Sequence, residues 1–392
     1  MLKRLAALAV VLLPLASATA SEPVLLAIDA EFGLPNSTSA QAIELGARIA
    51  IDQINAAGGV LGRPFALITT DNQSVPARAR DNLAELAGTK DLVAVLCGRY
   101  SPIVLETIDL LHEKKLIMLD PWASADGITD HQHVPNYIFR LSLRDSYAMP
   151  TMLRHAVGKG ASRVALLVPN TSWGRSNANA AQLAAGPAGV QIVGTEWYNW
   201  GDRDFADKYA ALRASGAQAV ILVANDMEGS AFAKQVAALP SDRRLPIISH
   251  WGITGGRFVE ETGPGLFELD FSVVQTFSFF TAAPGPLAAF AATHETLYGR
   301  FDPAAIPAPV GAGHAFDLVH ILARAVQRAG TTDRAAVRDA LEAVRDHDGL
   351  IRRLAQPFTA TRHDALEQSD VFMAAYRRDG AIVPIGRAGA AR

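Results

Sequence analysis

Two short polar runs could do chemistry together. Gly98-Arg99-Tyr100-Ser101-Pro102 follows the apolar run Val93 to Cys97, and Asp120-Pro121-Trp122-Ala123-Ser124 follows the apolar run Leu116 to Leu119. Ser101 is a good N-cap and Pro102 a good first helical residue, so this spacing predicts a helix whose free backbone N–H groups face Arg99 and Tyr100. Such a helix start holds anions. Loops at the carboxyl ends of adjacent parallel strands converge on one crevice, which would bring both runs to one ligand-sized space. The chemistry on offer is recognition of a negative group, with no bond made or broken. A plainer reading has Ser101 only capping a helix, and Arg99 and Tyr100 on a solvated turn.

Other chemistries find less support. No G-x-x-x-x-G-K phosphate loop and no G-x-S-x-G nucleophile elbow occurs. Gly252-Ile253-Thr254-Gly255-Gly256 lacks the phosphate-loop lysine and reads as a mobile loop. His131-Gln132-His133 could hold a metal, yet no Cys or second His pair lies close in sequence, so a polar loop is preferred. Arg352-Arg353 and Arg377-Arg378 read as solvated faces. Cys97 is the one cysteine, excludes an internal disulfide, and reads as a small buried hydrophobe. No cofactor is implied.

These runs must be positioned by alternating elements. Val24 to Ile28, Phe65 to Thr69 and Val93 to Cys97 are strand-like, and helices are expected from about Ala40 to Ala56 and Pro76 to Gly88. Such alternation marks a doubly wound α/β domain. The plan then repeats. Strands at Val164 to Val168, Val190 to Val193, Ala219 to Val223 and Pro246 to Ser249 alternate with helices, giving a second α/β lobe that starts near Leu143. Helices are expected again at Leu287 to Tyr298, Gly313 to Ala329 and Asp333 to Arg345, and two strands between Asp370 and Pro384.

The chain has 392 residues, 49% of them hydrophobic and 19% charged, and single cores stop growing at roughly 250–300 residues, so two globular cores are expected. Lys3-Arg4, an apolar run to Leu15 and Ala18-Thr19-Ala20 read as a cleavable signal peptide over 1–20, which predicts a periplasmic location. The formal net charge is −3 and argues against nucleic acid or acidic membranes as partners. No later run is long enough to insert the mature chain into a membrane.

Four stretches carry a resemblance: Gly46-Ala47-Arg48-Ile49-Ala50-Ile51-Asp52-Gln53-Ile54-Asn55-Ala56-Ala57-Gly58-Gly59-Val60-Leu61-Gly62-Arg63-Pro64, Tyr137-Ile138-Phe139-Arg140, Gly201-Asp202-Arg203-Asp204-Phe205, and His314-Ala315-Phe316-Asp317. In these the chain resembles the type I periplasmic solute-binding proteins, the family of the leucine/isoleucine/valine-binding protein, over nearly its whole mature length. The resemblance implies two doubly wound lobes joined by a three-crossover hinge that closes on a ligand. Carried onto this sequence, the first lobe is 22–142 and 275–345, and the second 143–274 and 346–385. It further implies a monomer that delivers a small-molecule ligand to ABC permease subunits.

By the same resemblance the family's carboxylate-binding serine falls on Ser101, next to Arg99 and Tyr100. Its small-small-Thr contact loop falls on Trp122, Ala123 and Ser124, and its cleft aromatic on Trp173. The acidic residue that pairs with a ligand ammonium falls on Trp251. That departure leaves an α-amino group without its main counter-charge unless Asp226, Glu31 or Asp29 substitutes. Arg99, with Tyr100, Trp122, Trp173 and Trp251 as walls, would instead suit a carboxylate on an aromatic or extended apolar body. The expected role is therefore a substrate-binding component for an amino acid or another small acid. A sensor or chemoreceptor subunit would share the fold, and a periplasmic enzyme would need a nucleophile and base that this sequence does not assemble.

Overall fold

The computed structural model describes residues 21–34 and 37–386, so the signal peptide read over 1–20 lies outside the described residues. The first sheet starts with β1 (Val24–Ala30), α1 (Thr38–Ala56), β2 (Phe65–Asp71), α2 (Pro76–Ala87) and β3 (Leu92–Cys97). It continues with α3 (Ser101–Leu105), α4 (Ile108–Glu113), β4 (Ile117–Asp120) and β5 (Ile138–Arg140). Its strands are all parallel in the order β2-β1-β3-β4-β5. Apolar side chains fill β1 and β3 because helices cover both faces of a parallel sheet.

The second half runs α5 (Asp145–Gly158), β6 (Arg163–Pro169), α6 (Ser172–Ala188), β7 (Gln191–Tyr198), α7 (Ala206–Ala214) and β8 (Ala219–Leu222). Then come α8 (Asp226–Ala237), β9 (Ile247–Ser249), α9 (Phe258–Thr262) and β10 (Phe271–Gln275). From β10 the chain returns to the first half with α10 (Pro284–Tyr298), α11 (Pro309–Ala329), α12 (Arg334–Glu342) and the short pair β11 (His347–Asp348) and β12 (Arg353–Leu354). It ends in β13 (Phe372–Tyr376) and β14 (Ile382–Pro384), which complete the second sheet in the order β14-β13-β10-β9-β8-β6-β7. β13 pairs antiparallel with β10 and β14 with β13.

Helix α11 lies along α1 so closely that a Cβ added at Gly46 would sit 2.0 Å from the Ala312 carbonyl oxygen. This backbone contact ties the late helices to the first sheet. The second-lobe assignment of everything after 345 is corrected by the hydrogen bonds. Asp317 of α11 accepts from the Leu350 and Ile351 N–H groups at 2.7 and 3.1 Å, and Arg140 of β5 donates to Asp364 at 2.5 Å. Residues 347–365 therefore clasp the first sheet, and the chain joins the second only at β13. Buried charge decides the point, because Arg140 is fully enclosed and Asp364 answers it.

The chain passes between the sheets after β5, after β10 and between 365 and 372. Among the described residues no helix is long and apolar enough to cross a membrane.

Candidate functional site

The carboxyl ends of β1, β3 and β4 face those of β6, β8 and β9, and loops from both sheets meet there. Arg99 and Ser101 follow β3, and Trp122 and Ser124 follow β4. Trp173 starts α6, Asp226 starts α8, and Trp251 follows β9. Arg99, Tyr100, Ser101, Trp122, Ser124, Trp173 and Trp251 border one small space. Trp200, Asn225 and Gly252, which sequence reasoning did not single out, border it too. Ala123 does not, since it is fully buried in an apolar cluster of the first half.

Arg99 is the charged centre. Its Nη1 lies 2.8 Å from Asp226 Oδ1 across the two halves, and its Nε lies 3.8 Å from Glu31 Oε1. Nη2 donates to the Tyr100 hydroxyl at 2.6 Å, and the guanidinium lies 4.7 Å from the centre of that ring. Nε and Nη1 make ion contacts without the alignment of hydrogen bonds. Burial works against the charge, but Tyr100, Asp226 and Glu31 together outweigh it and hold the guanidinium firmly protonated. Glu31 is itself steadied by the hydroxyls of Ser39 and Ser37, at 2.6 and 3.3 Å. Asp29 is committed elsewhere, to Thr70, Asn72 and Asn82.

The helix start differs from the sequence expectation. Helix α3 is a single turn that breaks at Glu106 and Thr107, and the Ser101 side chain does not cap it. Ser101 Oγ instead accepts from the backbone N–H groups of Ser124 and Ala125, at 3.1 and 3.2 Å. The Ile103 N–H is taken by the Tyr100 carbonyl and Pro102 has none, so little of a helix dipole remains. Ser101 thus acts as the clasp between the two polar runs. Ser124 in turn reaches the other half, where its hydroxyl accepts from Trp173 Nε1 at 3.0 Å.

Rings close the space from all sides. Trp122 lies 5.8 Å from Trp251, Tyr100 lies 5.2 Å edge-on to Trp200, and Trp173 lies 5.2 Å from His250. They leave a cavity of about 10 Å³, room for the centre of one water. The loop after β9 seals one side. A Cβ at Gly255 would lie 2.3 Å from Arg99 Nη1, and one at Gly256 would lie 2.0 Å from Asp226 Oδ2, so only glycine lets this strap cross the ion pair.

Two buried groups behind the site have displaced ionisation. Burial pushes the Asp120 carboxyl up to about 7, against Arg140, the Trp122 N–H and the Cys97 thiol. Burial pushes His314 down to about 4, where it bonds the Pro121 carbonyl and Thr276. His320 and His131 are likewise lowered to about 4 by burial. A lowered histidine binds its proton in the unfolded chain first, so its contribution is whole above 6.5 and is lost as pH falls towards 4. Asp120 has the opposite sign, because the native carboxyl takes its proton first between about 7 and 3.8. These three histidines, joined by His112, His155 and His363, which burial also lowers, stand against raised Asp120 and Asp29 and predict a net loss of stability on acidification across that window. Thermal unfolding at stepped pH measures it. Asp120→Asn should steepen the loss and His314→Gln should soften it, and a flat profile would contradict the assignment.

Among the described residues no group of three or more His, Cys, Asp or Glu side chains is arranged to hold a metal ion. His133 stacks on His112, His131 lies edge-on to both, and His133 pairs with Asp109. Two facing sheets, three crossovers and a shared polar crevice describe a hinged binder, and a sequence model described as periplasmic binding protein matches residues 33–381. The chain belongs to the periplasmic binding protein family. Within that family it is 24% identical to Leu/Ile/Val-binding protein homolog 3 of Brucella melitensis over 316 residues, 78% of each chain. Two solved structures share the fold of this periplasmic binding protein. A type 1 periplasmic binding protein from Bordetella pertussis superposes with a TM-score of 0.82 at 21% identity, covering 93% of this chain and 100% of that one. A solute-binding protein from R. palustris in complex with benzoate gives 0.78 at 17% identity, covering 93% and 96%. The expected type I architecture and branched-chain amino acid family hold. The known relatives are named as binding proteins.

Proposed function

We propose that this protein is the periplasmic substrate-binding component of an ABC-type uptake system and that its solute is a zwitterionic amino acid with an apolar or aromatic side chain. The observation that carries this reading is the Arg99–Asp226 contact across the two halves, with Glu31 beside it. When the halves part, a solute carboxylate takes the unaligned Nε and Nη1 donors of Arg99, and its ammonium takes Asp226 and Glu31. A zwitterion inserted into an ion pair leaves no buried charge unanswered, whereas a plain carboxylate would strand Asp226. The counter-charge missing at Trp251 is thereby supplied by other residues. Trp122, Trp173, Trp200 and Trp251 form the apolar walls. The 10 Å³ cavity means that the loaded protein holds its halves further apart than the arrangement described here.

Thermal shift with the common amino acids and their deaminated aliphatic analogues tests this. Saturation at 100 times the dissociation constant adds about 2.7 kcal/mol of stability. Leucine-like amino acids are expected to shift the midpoint and 4-methylpentanoate is not. Equal shifts from both would remove Asp226 and Glu31 from the recognition scheme.

A further inference from the structure

A larger cavity of about 420 Å³ opens on the other side of the Gly255–Gly256 strap. Its walls come from both halves. Thr38 and the 303–309 loop before α11 belong to the first, and Gly256, Phe258, Tyr376 and Arg378 to the second. Thr38 Oγ1 reaches the Gly256 carbonyl at 3.5 Å, so the cavity's rim already bridges the halves. Its volume lies in the range of small-molecule sites, roughly 300–1,000 Å³.

The lining is apolar and flat on one side. Phe258, Phe280, Ile306 and the Tyr376 ring provide it, with Tyr376 packed 5.4 Å from Phe258. The Tyr376 hydroxyl is buried and has no hydrogen-bond partner among the described residues. That oxygen is enclosed and near enough to Asp226 to feel its charge, so Tyr376 offers the cavity its ring. The lining carries two cationic and two anionic side chains, and their pairing leaves one cation over. Glu260 is claimed by Arg257 and Asp379 by Arg377. Arg378 rests over the Phe267 ring at 5.4 Å and makes no ion pair among the described residues.

We propose that this cavity is a second small-molecule site, separate from the Arg99 crevice, that takes a flat aromatic carboxylic acid with its ring between Phe258, Phe280 and Ile306 and its carboxylate towards Arg378 at the mouth. Because both halves line it, occupancy favours the closed arrangement. A second site coupled to closure would let one class of solute tune capture of another.

Calorimetric titration of the purified chain with 3-phenylpropanoate and benzoate tests it, with far-UV circular dichroism and the unliganded midpoint checking each variant's fold. Arg378→Ala is expected to weaken binding of these acids at least tenfold, and Ala305→Trp, which fills the mouth, to abolish it. The amino-acid shift in Arg378→Ala and Ala305→Trp should stay at the wild-type value, which separates this site from the Arg99 crevice. Wild-type affinity in folded Arg378→Ala and Ala305→Trp would overturn the proposal. So would loss of aromatic-acid binding in Arg99→Ala alone, or no saturable binding to the unaltered chain at millimolar concentration.

Discussion

Asp226→Ala is expected to lower amino-acid affinity by two to three orders of magnitude and to cost about 3 kcal/mol of stability. Removing one member of a buried, closely placed charge pair leaves the other without an answer, and such truncations cost about 3–5 kcal/mol. The low end applies because Arg99 keeps the Tyr100 hydroxyl at 2.6 Å and Glu31 at 3.8 Å. Binding loses more than stability does, since the ammonium loses its partner and the remaining Glu31 is already shared with Ser37 and Ser39. The double change Arg99→Met with Asp226→Leu should restore only part of the stability, because Glu31 loses its cation, and none of the binding. Urea unfolding and calorimetric titration separate the two effects. If Asp226→Ala binds and melts like the parent, Asp226 is not the partner of Arg99 in solution.

Gly255→Val is expected to act in the opposite manner, with little loss of unliganded stability and a loss of affinity of about a hundredfold. The added atoms would fall on Arg99 Nη1 and Cδ, at 2.3 and 2.9 Å from the first of them. Arg99 belongs to one half and Gly255 to the other, so wide separation of the halves relieves the clash without disturbing either core. A loaded form parted only enough to admit the solute keeps the strap over Arg99 and is opposed by the valine. A protein held open binds with its intrinsic affinity reduced by the fraction still able to close, and a hundredfold loss corresponds to about 2.7 kcal/mol. Small-angle X-ray scattering would show a radius of gyration that no longer shrinks on adding the solute. A variant that still contracts and binds would mean that the strap yields, and that the close approach is incidental.

Much of this arrangement is written locally in the chain. The apolar runs of β1, β3, β6 and β8 announce parallel strands because burial on both faces leaves no room for polar residues. Helix α1 is legible from Ile43, Ala47, Ile51 and Ile54 on one face and the Gly58-Gly59 stop. No local pattern announces helix α5 or strand β5, since α5 carries Pro150 inside it and β5 spans only three residues. The placement of 347–365 on the first sheet depends on Arg140 meeting Asp364, a contact between residues far apart in sequence that no local pattern reveals.

Within the crevice, the two polar runs after β3 and β4 were visible from their residue types, but the task of Ser101 was not. Its hydroxyl looks like a cap in one dimension and proves to be a tie in three, because the helix behind it is too short to need one. Trp200 and Asn225 went unremarked for the same reason, as nothing near them in sequence signals that their loops end beside Ser101. The two acids around Arg99 were named only as possible substitutes, and distance alone separates Asp226 and Glu31 from the committed Asp29.

The interleaving of the two halves bears on how the molecule is made. Helix α1 is among the first elements to leave the ribosome, yet the face it presents to α11 stays uncovered until the residues after Ala308 follow. The second sheet likewise waits for β13 and β14 at the far end. Neither sheet has all its covering elements and strands until these late segments are made. Moving the termini to join 22–140 directly to the late helices should give a version whose first sheet gains its full covering without waiting for the second.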